Sequence, residues 1–108
     1  MTERPELILV LTTFPGSEQA REAASLLVEK KLAACCTLLE GTSIYFWQGK
    51  KCQDPEVVLL IKTRAELYPE LEKKIQEIHP YEVPEIIALP VFMASPAYSE
   101  WIKDVTSD

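Results

Sequence analysis

Apolar positions along this chain fall into two kinds of pattern. Leu7-Ile8-Leu9-Val10-Leu11 and Val57-Val58-Leu59-Leu60-Ile61 are apolar at every position. The first, within a stretch from Glu6 to Thr13, reads as a central strand covered on at least one face, and the second, within Glu56 to Thr63, as another strand. Ala20, Ala23, Ala24, Leu27 and Val28 recur instead at helical spacing, as do Leu67, Leu71, Ile75 and Ile78, so two amphipathic helices are expected. The alanine-rich stripe of the first allows a close approach to a sheet, and Leu71 falls at the centre of the second helix's buried stripe.

Local breakers set the boundaries. Phe14-Pro15-Gly16 ends the first strand, and Ser17 is read as the N-cap of a helix that fades near Leu32 or Ala33. A second strand is predicted from Ala34 to Trp47, ending in the β-prone run Thr42-Ser43-Ile44-Tyr45-Phe46-Trp47. Gly49 with Lys50 and Lys51 marks a loose turn back into the third strand. The second helix is expected over Glu66 to His79, with Pro69 in its first turn and Pro80 as its stop. A last strand follows from Val83 to Met93, its prolines at an edge or an open ladder. Ser95-Pro96 then opens a short helix carrying Tyr98, Trp101, Ile102 and Val105. The order is βαββαβ, an α+β ferredoxin-like sandwich with a long hairpin and a short C-terminal helix, in a single domain over residues 1–108.

The hairpin has a consequence. Helices of about 14 to 17 residues span about 21 to 25 Å, whereas a strand from Ala34 to Trp47 reaches about 46 Å. The tip therefore overhangs the body, with Ile44 and Phe46 on one side and Tyr45 and Trp47 on the other. One short helix cannot cover both sides, so contact between subunits is expected.

Composition narrows the function. The 108 residues are 47% hydrophobic with a net charge of −6, enough for a core and unfavourable to a phosphate backbone, so no nucleic-acid partner is expected. No apolar run is long enough to span a bilayer. Met1 to Glu6 lacks the character of a leader, so no membrane partner and a cytoplasmic location are expected. Three cysteines, two of them adjacent, argue against a disulfide framework.

Candidate chemistry is sparse. His79, the one histidine, sits before Pro80, either as a cation suited to a helix C-terminus or as a metal ligand. Cys35, Cys36 and Cys52 are soft donors or small hydrophobes. In His79-Pro80-Tyr81-Glu82-Val83-Pro84-Glu85, two prolines stiffen a link that presents Tyr81 and Glu85. Lys62 is charged at the end of an apolar strand, and Glu85 is its expected partner. Beside Trp47 or Tyr81 that pair would recognise a small polar ligand or brace an interface. The three glycines form no phosphate loop, and no motif ties the histidine to a nucleophile, so no enzyme is expected.

Longer segments carry a resemblance: Glu29-Lys30-Lys31-Leu32-Ala33-Ala34-Cys35, Ser43-Ile44-Tyr45-Phe46-Trp47-Gln48-Gly49-Lys50, Leu60-Ile61-Lys62-Thr63, and His79-Pro80-Tyr81-Glu82-Val83-Pro84-Glu85-Ile86. With Tyr98 to Trp101 they make the chain similar to the CutA divalent-cation tolerance family over nearly its whole length. The resemblance implies a homotrimer joined by its hairpins, architecturally similar to PII signalling proteins, and a role in tolerance of divalent metals without a required cofactor. It also implies copper binding in some members, through a cysteine in the first strand and two consecutive histidines before Pro-Tyr. Here those positions read Thr12, Ile78 and His79, so only His79 carries over. Two readings follow: a tolerance protein that binds copper or another divalent metal weakly, or a regulatory trimer that binds a small molecule or a partner protein in its intersubunit clefts.

Overall fold

A computed structural model of the chain describes residues 4–108; residues 1–3, part of the stretch read above as lacking a leader, lie outside the described residues. The chain runs β1 (Leu7–Phe14), α1 (Ser17–Glu29), β2 (Cys35–Trp47), β3 (Lys50–Arg64), a 3-10 turn (Ala65–Leu67), α2 (Tyr68–Ile78), β4 (Ile86–Pro90) and α3 (Pro96–Val105). The sheet order is β2-β3-β1-β4, with β3 antiparallel to both β1 and β2 and β4 antiparallel to β1. This is the expected ferredoxin-like α+β arrangement.

The alternation of a strand decides which residues meet the helices. Ile8, Val10 and Phe14 of β1 and Val57, Leu59 and Ile61 of β3 pack in one core with Ala20, Ala23, Ala24 and Leu27 of α1 and with Leu71 and Ile75 of α2. Leu71 is fully buried, as its place in the stripe predicts. Among the described residues the opposite face is covered at one end, where Ile102 of α3 packs with Leu7 and Ala34. Arg64 fastens that end, its Nε donating to Thr106 Oγ1 at 2.8 Å and its Nη2 to the Thr106 carbonyl at 2.9 Å. Beyond α3 the open face leaves Leu39, Ile87 and Leu89 exposed.

Several boundaries differ from expectation, each for a local reason. The first helix is capped by Gly16, with no side-chain cap, and Ser17 is its first residue. It stops at Glu29 because Lys31 turns to φ 61°. Lys31 N–H then bonds the Val28 carbonyl and Leu32 N–H the Leu27 carbonyl, both at 3.0 Å, a Schellman stop closed by the apolar pair Leu27 and Leu32. The hairpin turn is tight, not loose: Gln48 at φ 51° and Gly49 at φ 78° close a two-residue connection, the twist that right-handed strands favour. Its partner strand therefore starts at Lys50 rather than Glu56, because ladder pairing carries even polar residues into the strand. Pro55 is tolerated because β1 ends its pairing at Phe14↔Val57, leaving that edge of β3 free. The last strand shrinks from Val83–Met93 to Ile86–Pro90, since residues 79–85 are drawn inward by contacts described below. In α3, Ser95 caps as expected, its Oγ accepting from Tyr98 N–H.

The ladder of β2 and β3 runs unbroken from Cys35↔Lys62 to Trp47↔Lys50, and the molecule is 44 Å in its longest dimension. Among the described residues, the rungs from Gly41↔Glu56 outward have no third strand. There Ile44 is 64% and Phe46 75% exposed, so the overhang read from the chain lengths is present.

Candidate functional site

Where β1 ends and the hairpin leaves the body, the link from α2 to β4 folds back against the sheet. His79 is the hinge of this corner. Its ring stacks on Phe14 at 4.4 Å between centroids, and it is buried. Nδ1 accepts the Tyr81 backbone N–H at 3.1 Å, so the ring proton sits on Nε2, which donates to the Thr13 carbonyl at 2.7 Å. Burial lowers its pKa below the ordinary histidine value. The imidazole is thus neutral and has both nitrogens engaged.

The turn that His79 anchors delivers Tyr81 to the hairpin. The Tyr81 hydroxyl donates to Glu56 Oε2 at 2.7 Å; burial, then this bond and the Glu56 charge, push its phenol well above the usual tyrosine value. Across the face, the Tyr45 hydroxyl donates to Asp54 Oδ2 at 2.6 Å, which is the main cause pushing Tyr45 up to about 12. Between these pairs lies a cavity of about 640 Å³. Trp47, Tyr45 and Tyr81 supply aromatic surface; Glu56, Glu82 and Glu85 supply charge, with no lysine or arginine on its wall among the described residues.

Of the residues singled out in the sequence, Trp47, Tyr81 and Glu85 meet at this cavity. Lys62 does not join them, and the expected pair with Glu85 is not formed. Lys62 stands opposite Cys35 and Leu9, its Nζ donating to Thr37 Oγ1 at 2.6 Å. Glu85 precedes Ile86, which pairs with Thr12, so the two lie about 13 Å apart along β1. Glu56, Tyr45 and Asp54 were missed as site residues. The signal for Glu56 was the turn: a two-residue connection at Gln48-Gly49 sets Glu56 opposite Gly41, on the face of Ser43, Tyr45 and Trp47.

The donors suit copper poorly. Thr12 Oγ1, at the position where the resemblance implies a thiolate, is buried without a hydrogen-bond partner, and Ile78 packs against the core. The three cysteines are free, and burial pushes the Cys36 thiol up to about 12, so it is protonated near neutral pH. Among the described residues no three histidine, cysteine or carboxylate groups gather as a metal site.

Comparison with known proteins now decides the lineage. The model of the CutA1 divalent ion tolerance protein family matches residues 8–105. The chain belongs to that family. It is 44% identical over 99 residues to the divalent-cation tolerance protein CutA of Thermus thermophilus, covering 91% of this chain and 96% of that one. It is 47% identical over 95 residues to the mouse protein CutA, covering 87% of this chain but spanning only 54% of that longer protein. Among solved structures, CutA from Synechococcus elongatus superposes with a TM-score of 0.93 at 34% identity, covering 98% of this chain and 95% of that one. CutA1 from Pyrococcus horikoshii superposes with a TM-score of 0.90 at 39% identity, over 94% of this chain and 99% of that one. The CutA1 fold thus extends over essentially the whole chain, hairpin included. No helix among the described residues is long and apolar enough to cross a membrane.

Proposed function

We propose that this CutA1-family chain is a non-enzymatic protein of divalent-cation tolerance that works in the cytoplasm as a homotrimer. The observation that carries the reading is the hairpin tip, apolar on both sides and uncovered by its own chain. Exposed Leu39, Ile87 and Leu89 on the open sheet face extend that surface. The tolerance role is supported by the names of its relatives, and the cytoplasm by three free cysteines. A non-enzymatic role is supported by a sole imidazole with both nitrogens committed, so that it serves no nucleophile.

Copper or another divalent metal binds the single chain weakly in this reading, since His79 would have to give up a hydrogen bond to ligate it. Native mass spectrometry of the wild type is expected to report a trimer, and Phe46→Asp, which sets an unpaired charge in an apolar contact, is expected to shift it toward smaller species. A wild-type monomer at micromolar concentration refutes the assembly. Calorimetric titration with Cu(II), and with Cu(I) without oxygen, is expected to give weak binding; tight stoichiometric binding abolished by His79→Ala restores metal as the function.

The cavity beside Trp47, Tyr81 and Glu85 favours a second reading, a regulatory trimer that binds a small molecule or a partner in its clefts. Its volume of about 640 Å³ suits a metabolite-sized ligand.

A further inference from the structure

Glu56 is the group that the rest of the fold leaves unexplained. Its side chain reaches into the cavity at the root of the overhang, and the residue is only 8% exposed. Its hydrogen-bond partner is a neutral phenol, the Tyr81 hydroxyl at 2.7 Å. Among the described residues the ion pairs join Arg64 with Glu66, Lys74 with Glu77 and Lys103 with Glu6; none reaches Glu56. A carboxylate taken out of water without a counter-charge is costly, and one neutral donor leaves its full charge in place. The nearest imidazole cannot neutralise it, because His79 is held neutral by its two hydrogen bonds.

The walls indicate what kind of charge is wanted. Tyr45, Trp47 and Tyr81 offer ring surface on the cavity, and aromatic faces attract organic cations. Glu82 and Glu85 add negative potential at its rim, which draws cations inward. A bare divalent ion would find too few ligands, since no three metal-binding groups converge among the described residues. An ammonium or guanidinium head needs only one carboxylate and the rings.

We propose that this cavity is an organic-cation site, in which Glu56 pairs with a primary amine or guanidinium beside Tyr45 and Tyr81, while Trp47, six rungs farther out, packs against the rest of the ligand. The inference rests on the second reading above and names the ligand class of that cleft. The same chemistry has two sources, a free amine or a lysine or arginine side chain from a second copy of the chain, and the experiment separates them.

The intact chain is titrated calorimetrically with agmatine, which carries both heads, and its assembly is followed in parallel by native mass spectrometry. The wild type is expected to bind saturably. Glu56→Gln, isosteric and still able to accept from Tyr81, is expected to weaken binding roughly tenfold or more with unchanged circular dichroism. Trp47→Leu is expected to weaken it by a smaller factor. Absence of agmatine binding, with assembly of Glu56→Gln weakened roughly tenfold or more, also supports the pairing and assigns the cation to a neighbouring copy. Agmatine binding that is equal in wild type and Glu56→Gln overturns the proposal, as does Glu56-dependent binding of manganese chloride without agmatine binding. Adenosine monophosphate bound in a manner sensitive to Trp47→Leu but indifferent to Glu56→Gln overturns the cation class and leaves the cleft reading standing. No binding of any probe, with assembly unchanged in both variants, overturns both.

Discussion

The two halves of the β2–β3 hairpin are one ladder in two environments. Near its base, Leu59 pairs with Leu38 beneath the helices and is fully buried; near its tip, Ile44 pairs with Gln53 on the same face and is 64% exposed. The register does not change between them, and the backbone bonds continue to the turn. The ladder therefore forms wherever two strands can pair, whatever covers it. Burial is a separate decision, made by what lies above: α1 and α2 at the base and, among the described residues, nothing at the tip. An apolar face that its own chain leaves bare is where the proposed assembly would make its contact.

That contrast is tested most strongly by truncating the two residues. Leu59→Ala is expected to cost about 2 to 5 kcal/mol through lost burial and a residual cavity. Ile44→Ala is expected to stay within about 0.5 kcal/mol when the chain is dilute enough to be dissociated. Denaturant unfolding at two protein concentrations reads both, and a cost at Ile44 that appears only at the higher concentration identifies a second copy as the cover. Equal costs for the two variants under dissociating conditions break the comparison.

The corner where base becomes tip is held by His79, and its protonation provides the next test. Burial disfavours the imidazolium, and the nitrogen that would take the second proton already accepts the Tyr81 N–H. The folded pKa lies below the unfolded value of about 6.5, so the unfolded chain binds more protons in the interval between them. Stability is complete above about pH 6.5 and declines as pH falls below it. Melting temperature measured from pH 7.5 down to 5.5 (the working range of the assay) is expected to drop for the wild type. His79→Gln is expected to start lower, by about 1 to 3 kcal/mol for the lost bonds, and to be flatter across that interval. A wild-type curve flat over the same interval would falsify the assignment of the neutral ring.

The smallest effects compare base and tip at the level of the backbone. Lys31, before the base of β2, and Gln48, at the tip, both carry positive φ on a residue with a side chain. Glycine at either relieves that strain, less the entropy it adds to the unfolded chain, so Lys31→Gly and Gln48→Gly are each expected to stabilise by up to about 1 kcal/mol in thermal unfolding. Similar gains at both sites mean that turn geometry is indifferent to cover. Loss of stability in Lys31→Gly alone would show that the bond from Lys31 Nζ to the Ser107 carbonyl outweighs the strain.

How far the sequence could be read depended on the range of the interactions involved. Order and type of elements were legible because period and breakers are local: alanines at helical spacing made α1, Pro80 stopped α2, and Ser95-Pro96 opened α3. The overhang was legible too, because strand and helix rise per residue differ by a fixed factor. The polar half of β3 was not legible, since Lys50 to Pro55 become a strand only through pairing with Thr42 to Trp47. Residues 83–85 were read as the start of the last strand but belong to a link that folds back, because His79 and Tyr81 find partners in Thr13 and Glu56, distant in the chain.

By itself, then, the sequence determined the βαββαβ order, the buried stripes through Leu27 and Leu71, the exposed aromatic tip and the kinship with the CutA1 family, all of which rest on periodicity, chain geometry or extended motifs. Tertiary structure alone decided that His79 is neutral and spoken for, that Lys62 binds Thr37 rather than Glu85, and that Glu56 stands buried beside Tyr81 without a counter-charge among the described residues. Each of those depends on which side chains a register and a folded loop bring within hydrogen-bond reach. Such distances are fixed only when strands far apart in sequence have paired.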